Sequence, residues 1–147
     1  MNTLATALLA FCCALTAPGL AQAQVQAQEK ISHGRFNDVQ LYRPKGEVKS
    51  FAILLSGEAG RTPDMAAMAK PLVEQGAVVA GVNTPQLLAL LEKDGGDCAL
   101  PDGDFENLSH FLQGYAQLPA YYPPLRVGQG SGASLAYALN AQAPEGT

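Results

Sequence analysis

Three shortages bound this chain before any motif is considered. It has three cysteines, two histidines and nine basic residues in 147. Cys12 and Cys13 lie in the first apolar stretch, so Cys98 stands alone in the remainder and no intramolecular disulfide is available there. The nine Lys and Arg are outnumbered by 13 Asp and Glu, for a net charge of −4, and they form no cluster. That balance argues against nucleic acid or an anionic membrane surface as partner. No apolar run approaches the roughly 20 residues that a membrane-crossing helix requires. Both histidines, His33 and His110, precede the segment with the strongest chemical motif, and none follows it.

What is present begins with an export pattern. Residues 1–23 contain no Asp, Glu, Lys or Arg, and the apolar run Leu4–Leu15 is followed by Pro18-Gly19 and the small-x-small triplet Ala21-Gln22-Ala23. This predicts a signal peptide cleaved after Ala23, although its start carries no Lys or Arg beside the α-amino group. Lipid attachment at Cys12 fits less well, because bulky Phe11 precedes it. Cleavage leaves no transmembrane anchor. Residues 24–34 read as a polar leader, frayed over 24–30, and residues 35–147 as the folded part.

Within 35–147 the pattern alternates. Arg35–Tyr42 has strand character, closed by Pro44 and Gly46. Phe51–Leu55 and Val78–Val82 are continuous apolar runs, as in central strands covered on both faces. Leu125–Gly128 is a shorter fourth strand. Thr62-Pro63-Asp64 supplies an N-cap, a first-turn proline and an acid at the positive helix end, with Gly76 as terminator. Thr84-Pro85 opens a second helix that Gly95-Gly96 stops. Asp104 to about Leu118 and Ser131 to about Gln142 are two more. Strands alternating with helices imply an α/β fold with a mostly parallel sheet flanked by helices.

The chemistry concentrates at Leu125-Arg126-Val127-Gly128-Gln129-Gly130-Ser131-Gly132-Ala133. A strand runs straight into a helix, the setting of the Gly-x-Ser-x-Gly nucleophile elbow. Gly128 and Gly132 are the two small flanking residues, and Gly130 stands where the serine belongs. Ser131, one position later, has two readings. As a nucleophile in shifted register it would be flanked by Gln129, bulky for an elbow, and Ala133. Otherwise it caps the helix, and its backbone N–H serves as an oxyanion donor. A third reading takes the glycines as a phosphate cradle at a helix N-terminus, though the dinucleotide pattern is not matched. Across the sheet, the loop Leu55-Ser56-Gly57-Glu58-Ala59-Gly60 follows a buried strand. Ser56 and Gly57 either provide the second oxyanion N–H or simply shape a turn. Ser56, Gly57 and Gln129 are the residues expected to meet a substrate.

A triad needs an acid and a histidine after the nucleophile, and only Glu145 follows Ser131. Asp94, Asp97, Asp102, Asp104 and Glu106 are rich in oxygen ligands, but their spacing is not that of a calcium loop, and a solvated acidic loop with helix caps accounts for them. Neither metal nor cofactor is expected. Asn107-Leu108-Ser109 matches the glycosylation triplet inside an expected helix.

Several short motifs then fall in one order: Leu41-Tyr42-Arg43-Pro44-Lys45-Gly46, Leu54 to Gly60, Asp94-Gly95-Gly96-Asp97-Cys98, Pro101-Asp102-Gly103-Asp104, Glu106 to Phe111, and Gly128 to Ala136. Together they resemble the N-terminal hydrolase-like domain of the bacterial virulence-protein family VirJ/AcvB, over Val39 to Thr147. The resemblance implies a periplasmic protein of Gram-negative bacteria with an α/β-hydrolase fold, linked to hydrolysis of aminoacylated phosphatidylglycerol and to type IV secretion. It implies that Ser56 and Gly57 form the oxyanion loop and that Gly130 takes the nucleophile's place. Where that family has Ser-Gly-Asp-Gly-Gly-Trp, this chain has Glu58, Ala59 and Arg61 for Asp, the first Gly and Trp; where it has Tyr-Ser, this chain has Gln129-Gly130.

Three functions follow as expectations. The first is an exported, virulence-associated, hydrolase-like module that does not catalyse, with a lipid head group or secretion-system component as partner. The second is a serine esterase or lipid hydrolase using Ser131 and completed by a C-terminal hydrolase segment, because the fold reads as truncated after the elbow helix. The third is a fragment without function of its own.

Overall fold

The computed structural model describes residues 29–94 and 99–142. The segment expected to be a signal peptide, Gly95 to Cys98 and Glu145 lie outside them. The chain is a mixed α/β protein with one five-stranded sheet and four helices among these residues.

The sheet opens with a hairpin. β1 (Glu29–His33) pairs antiparallel with β2 (Phe36–Tyr42) around a turn at Gly34, whose φ of +56° suits a residue without Cβ. This corrects the expected leader over 24–34, which gives way to a strand at Glu29. The strand hides from pattern reading because Ile31 is its only fully buried side chain. The pairing slips between Ile31 and His33, where β1 advances by two residues and β2 by three. Asp38 absorbs the extra residue in the left-handed region at φ 53°, and its N–H donates to Ser32 Oγ at 3.0 Å. Phe36 and Val39 therefore both face the core although they are three positions apart.

β3 (Ser50–Leu55) and β4 (Ala77–Val82) form the centre, and all but Ser50 are buried. Their alternating side chains feed two cores. Phe51, Ile53, Leu55, Val78, Ala80 and Val82 face one side. Ala52, Leu54, Ala77 and Val79 face the other. The strands pair in parallel from Ser50↔Ala77 to Leu55↔Val82. β5 (Leu125–Gly128) joins the other flank of β3, also in parallel. The order is β1-β2-β4-β3-β5, and β2 alone runs against the rest. β5 is an edge strand, with Leu125 half exposed.

Helices cover both faces. α1 (Pro63–Glu74) packs Met65, Ala69 and Val73 on one. α2 (Thr84–Asp94), α3 (Asp102–Tyr115) and α4 (Ser131–Gln142) pack Leu87, Leu91, Phe105, Leu108, Leu112 and Leu139 on the other. Each of these large side chains contributes about 1.5–3 kcal/mol by leaving water. Thr62 is the residue before α1, as expected, but its hydroxyl donates to Asp64 Oδ2 at 3.4 Å instead of capping a backbone N–H. α3 starts at Asp102, two residues before expectation. It stops at Tyr115 because Gln117 turns left-handed at φ 54°, and Leu118 N–H closes back on Gln113 O at 3.1 Å.

Candidate functional site

Parallel strands deliver their carboxyl ends to one edge of a sheet, where α/β proteins keep their sites. Here that edge gathers Ser56 and Gly57 after β3, Asn83 and Thr84 after β4, and Gln129 and Gly130 after β5. The β5–α4 junction is an elbow in the steric sense. A Cβ on Gly128 would lie 2.5 Å from Ala133 N and closer still to the Gly132 carbonyl. One on Gly132 would lie 2.5 Å from Ser56 O and closer still to Leu55 O. Both glycines are therefore required by backbone contact, and α4 begins pressed against the end of β3. Gln129 N–H donates to Leu55 O at 3.3 Å across the same junction. Gly130 forms the apex at φ +53°.

The apex holds a side chain from elsewhere. A Cβ on Gly130 would sit 2.7 Å from Glu58 Oε1 and nearer to Oε2, so the Glu58 carboxylate fills the space a residue at 130 would claim. Ser131 N–H donates to Glu58 Oε1 at 2.8 Å. In the sequence Glu58 stands out only where the loop departs from the VirJ/AcvB pattern. Its meeting with Gly130 across 72 positions left no local pattern; the paired oddity of an acid in one loop and a glycine in the other was the available signal.

The expected site residues divide. Gly57 and Gln129 adjoin: a Cβ on Gly57 would lie 3.4 Å from Gln129 O, an ordinary contact. Ser56 is buried, and its Oγ accepts the Thr84 N–H at 3.0 Å, which ties the end of β3 to the start of α2. Its hydroxyl is thus used inside the fold. Ser131 Oγ is buried without a hydrogen-bond partner, so it neither caps α4 nor touches a base. The loop after Glu58 is held by a turn, Gly60 N–H to Gly57 O at 2.9 Å, and by Arg61, which donates to Asp38 O at 3.2 Å and to Asp38 Oδ2 at 3.3 Å.

The histidines belong to another neighbourhood. His33 stacks on Phe111 with centroids 3.9 Å apart and meets Asn107 Oδ1. His110 stacks on Tyr121 at 4.3 Å and lies 3.8 Å from Glu106. β1 and β5 are opposite edges, four strand steps apart, which places His33 roughly 19 Å from the elbow along the sheet. Of the acidic residues, Asp102 pairs with Arg126 at 2.7 Å and Asp104 with Arg35 at 3.6 Å, and Asp97 lies outside the described residues. Among the described residues no group of three or more His, Cys, Asp or Glu side chains is placed to hold a metal. None of the described helices is long and apolar enough to cross a membrane.

Perturbed acidities also lie away from the elbow. Hydrogen bonds from Arg43 hold the Glu29 carboxyl below its ordinary 4.5, against some desolvation, with Tyr115 assisting. The bond to Glu29 raises the Tyr115 phenol, and burial raises that of Tyr42. Glu29 and Tyr42 lie on β1 and β2, and Tyr115 reaches Glu29 from α3, all away from the β5 side of the sheet.

Comparison with protein-family models, with curated proteins and with solved structures gives no match for this chain.

Proposed function

We propose that this chain is an exported, periplasmic, hydrolase-like module of the VirJ/AcvB kind that acts by binding, not by turning over an ester. The observation that carries the reading is the elbow without a hydroxyl: strand, tight turn and helix are packed through Gly128 and Gly132, yet the apex is Gly130. The strand order, with β2 alone reversed, is also that of the opening half of an α/β-hydrolase sheet, which supports the finer fold reading. A lipid head group or a secretion-system component is the partner this reading favours. The test is ester hydrolysis by the purified chain against an activated acyl ester. No turnover above that of Ser131→Ala is expected; turnover that Ser131→Ala abolishes would overturn the reading.

A second reading, a serine esterase completed by a further segment, is favoured by the outer edge of β5. No strand pairs with that edge among the described residues. The intact mass of the protein in a periplasmic extract of its source cell separates the two. A mass matching residues 24–147 supports the module. A substantially larger mass moves the search for acid, base and nucleophile to the additional segment.

A further inference from the structure

The first four N–H groups of an α-helix have no partner within it, and a helix start is stable when all four are satisfied. In α4 three of them are satisfied by the turn itself. Gly132 N–H donates to Gln129 O at 2.9 Å, and Ala133 and Ser134 N–H donate to Gly130 O at 3.0 and 3.2 Å. The fourth, Ser131 N–H, donates to Glu58 Oε1. Glu58 thus completes the set from a different loop, with a negative charge at the positive end of the helix dipole. Its carboxylate reaches Ser131 through the volume that any side chain at 130 would occupy. The Glu58 contact therefore requires that residue 130 carry no side chain.

We propose that Glu58 is an internal latch which closes the elbow. With the latch engaged, loop 56–61 and the start of α4 move as one body, and the backbone donor beside the apex is unavailable to any other acceptor. With the latch released, Ser131 N–H becomes free at the position where a hydrolase elbow keeps half of its oxyanion hole. The loop has fixed points on either side from which to swing, Ser56 on Thr84 and Arg61 on Asp38. This inference rests on reading Gly128 to Gly132 as an elbow, but not on the absence of catalysis.

The test is residue-resolved amide hydrogen exchange of the full chain. Glu58→Ala removes a bond to a charged acceptor, and Ser131 N–H is expected to exchange roughly tenfold faster while the Leu135 and Leu139 amides keep their rates. Glu58→Gln keeps a neutral acceptor of the same shape and gives a smaller acceleration, which preserves the test if Glu58→Ala loosens the whole domain. An unchanged Ser131 rate in Glu58→Ala overturns the latch. Ester hydrolysis by the wild type would overturn the binding-module reading and leave the latch untouched.

Discussion

Two glycine-to-alanine substitutions in this protein should have opposite signs. A methyl on Gly132 would lie 2.5 Å from Ser56 O and closer to Leu55 O, whereas a methyl-to-oxygen contact needs about 3.3 Å. Both neighbours are backbone, so neither can rotate away, and the start of α4 must withdraw from β3 by about 0.8 Å or more. That withdrawal stretches the Gln129–Leu55 hydrogen bond, already 3.3 Å long, beyond useful range. Overpacking costs about 1–3 kcal/mol and the lost bond about 1 kcal/mol. The gain from replacing a helical glycine offsets at most about 1 kcal/mol. The net loss is about 2 kcal/mol, or about 8 °C in Tm for a domain of this size. Gly114, in α3, has nothing within 4 Å of an added Cβ. There the helix gain stands alone, and Gly114→Ala should raise Tm by about 2–4 °C. Differential scanning calorimetry of both variants checks the contrast. A Gly132→Ala protein that melts at or above the wild-type temperature would refute the claim that contact at the elbow fixes this glycine.

Arg126 on β5 donates to Asp102 at 2.7 Å and to Asn140 at 3.1 Å, and the side chains of Arg126 and Asp102 are only 13% and 15% exposed. Arg126→Met leaves Asp102 uncompensated and should cost about 2–3 kcal/mol in urea unfolding, with more than half recovered by adding Asp102→Asn. Gln113 is buried and clamps Tyr122 at both ends, accepting its N–H and donating to its carbonyl, each at 2.8 Å. Gln113→Leu strands both groups and should cost about 2–4 kcal/mol by the same assay. Because Arg43 lowers the Glu29 pKa in the fold, the pair stabilises above the ordinary value of 4.5, and its contribution fades as pH falls through the lower folded value. The gap in Tm between wild type and Arg43→Gln should therefore narrow on acidification from neutral pH to about pH 3; a gap that widens would contradict the pairing.

How far the sequence disclosed this structure depends on the range of each interaction. β3 and β4 were legible because strands buried on both faces read as unbroken apolar runs. β5 and α4 were legible to the residue, because Gly128-Gln129-Gly130 punctuates between two different periodicities. β1 was not, since its alternation amounts to one isoleucine among polar residues. Strand order was not legible either: nothing local tells β4 to lie between β2 and β3. In the candidate site, the glycines at 128, 130 and 132 were found by spacing. The use of Ser56 as a buried tie to Thr84 and the entry of Glu58 were not, because each is a side chain crossing to a distant loop.

The insertion of β4 between β2 and β3 sets a schedule for synthesis. The hairpin of β1 and β2 is complete when Tyr42 has emerged, but the edge it must join belongs to β4, which ends at Val82. At about 5–20 residues per second the nascent hairpin waits roughly 2–8 s with Leu41 and Tyr42 uncovered. β3 and α1 wait on the same strand, since β3 also pairs with β4. A chaperone that holds extended apolar segments should then engage this chain most strongly while its front hairpin is out and β4 is still being made.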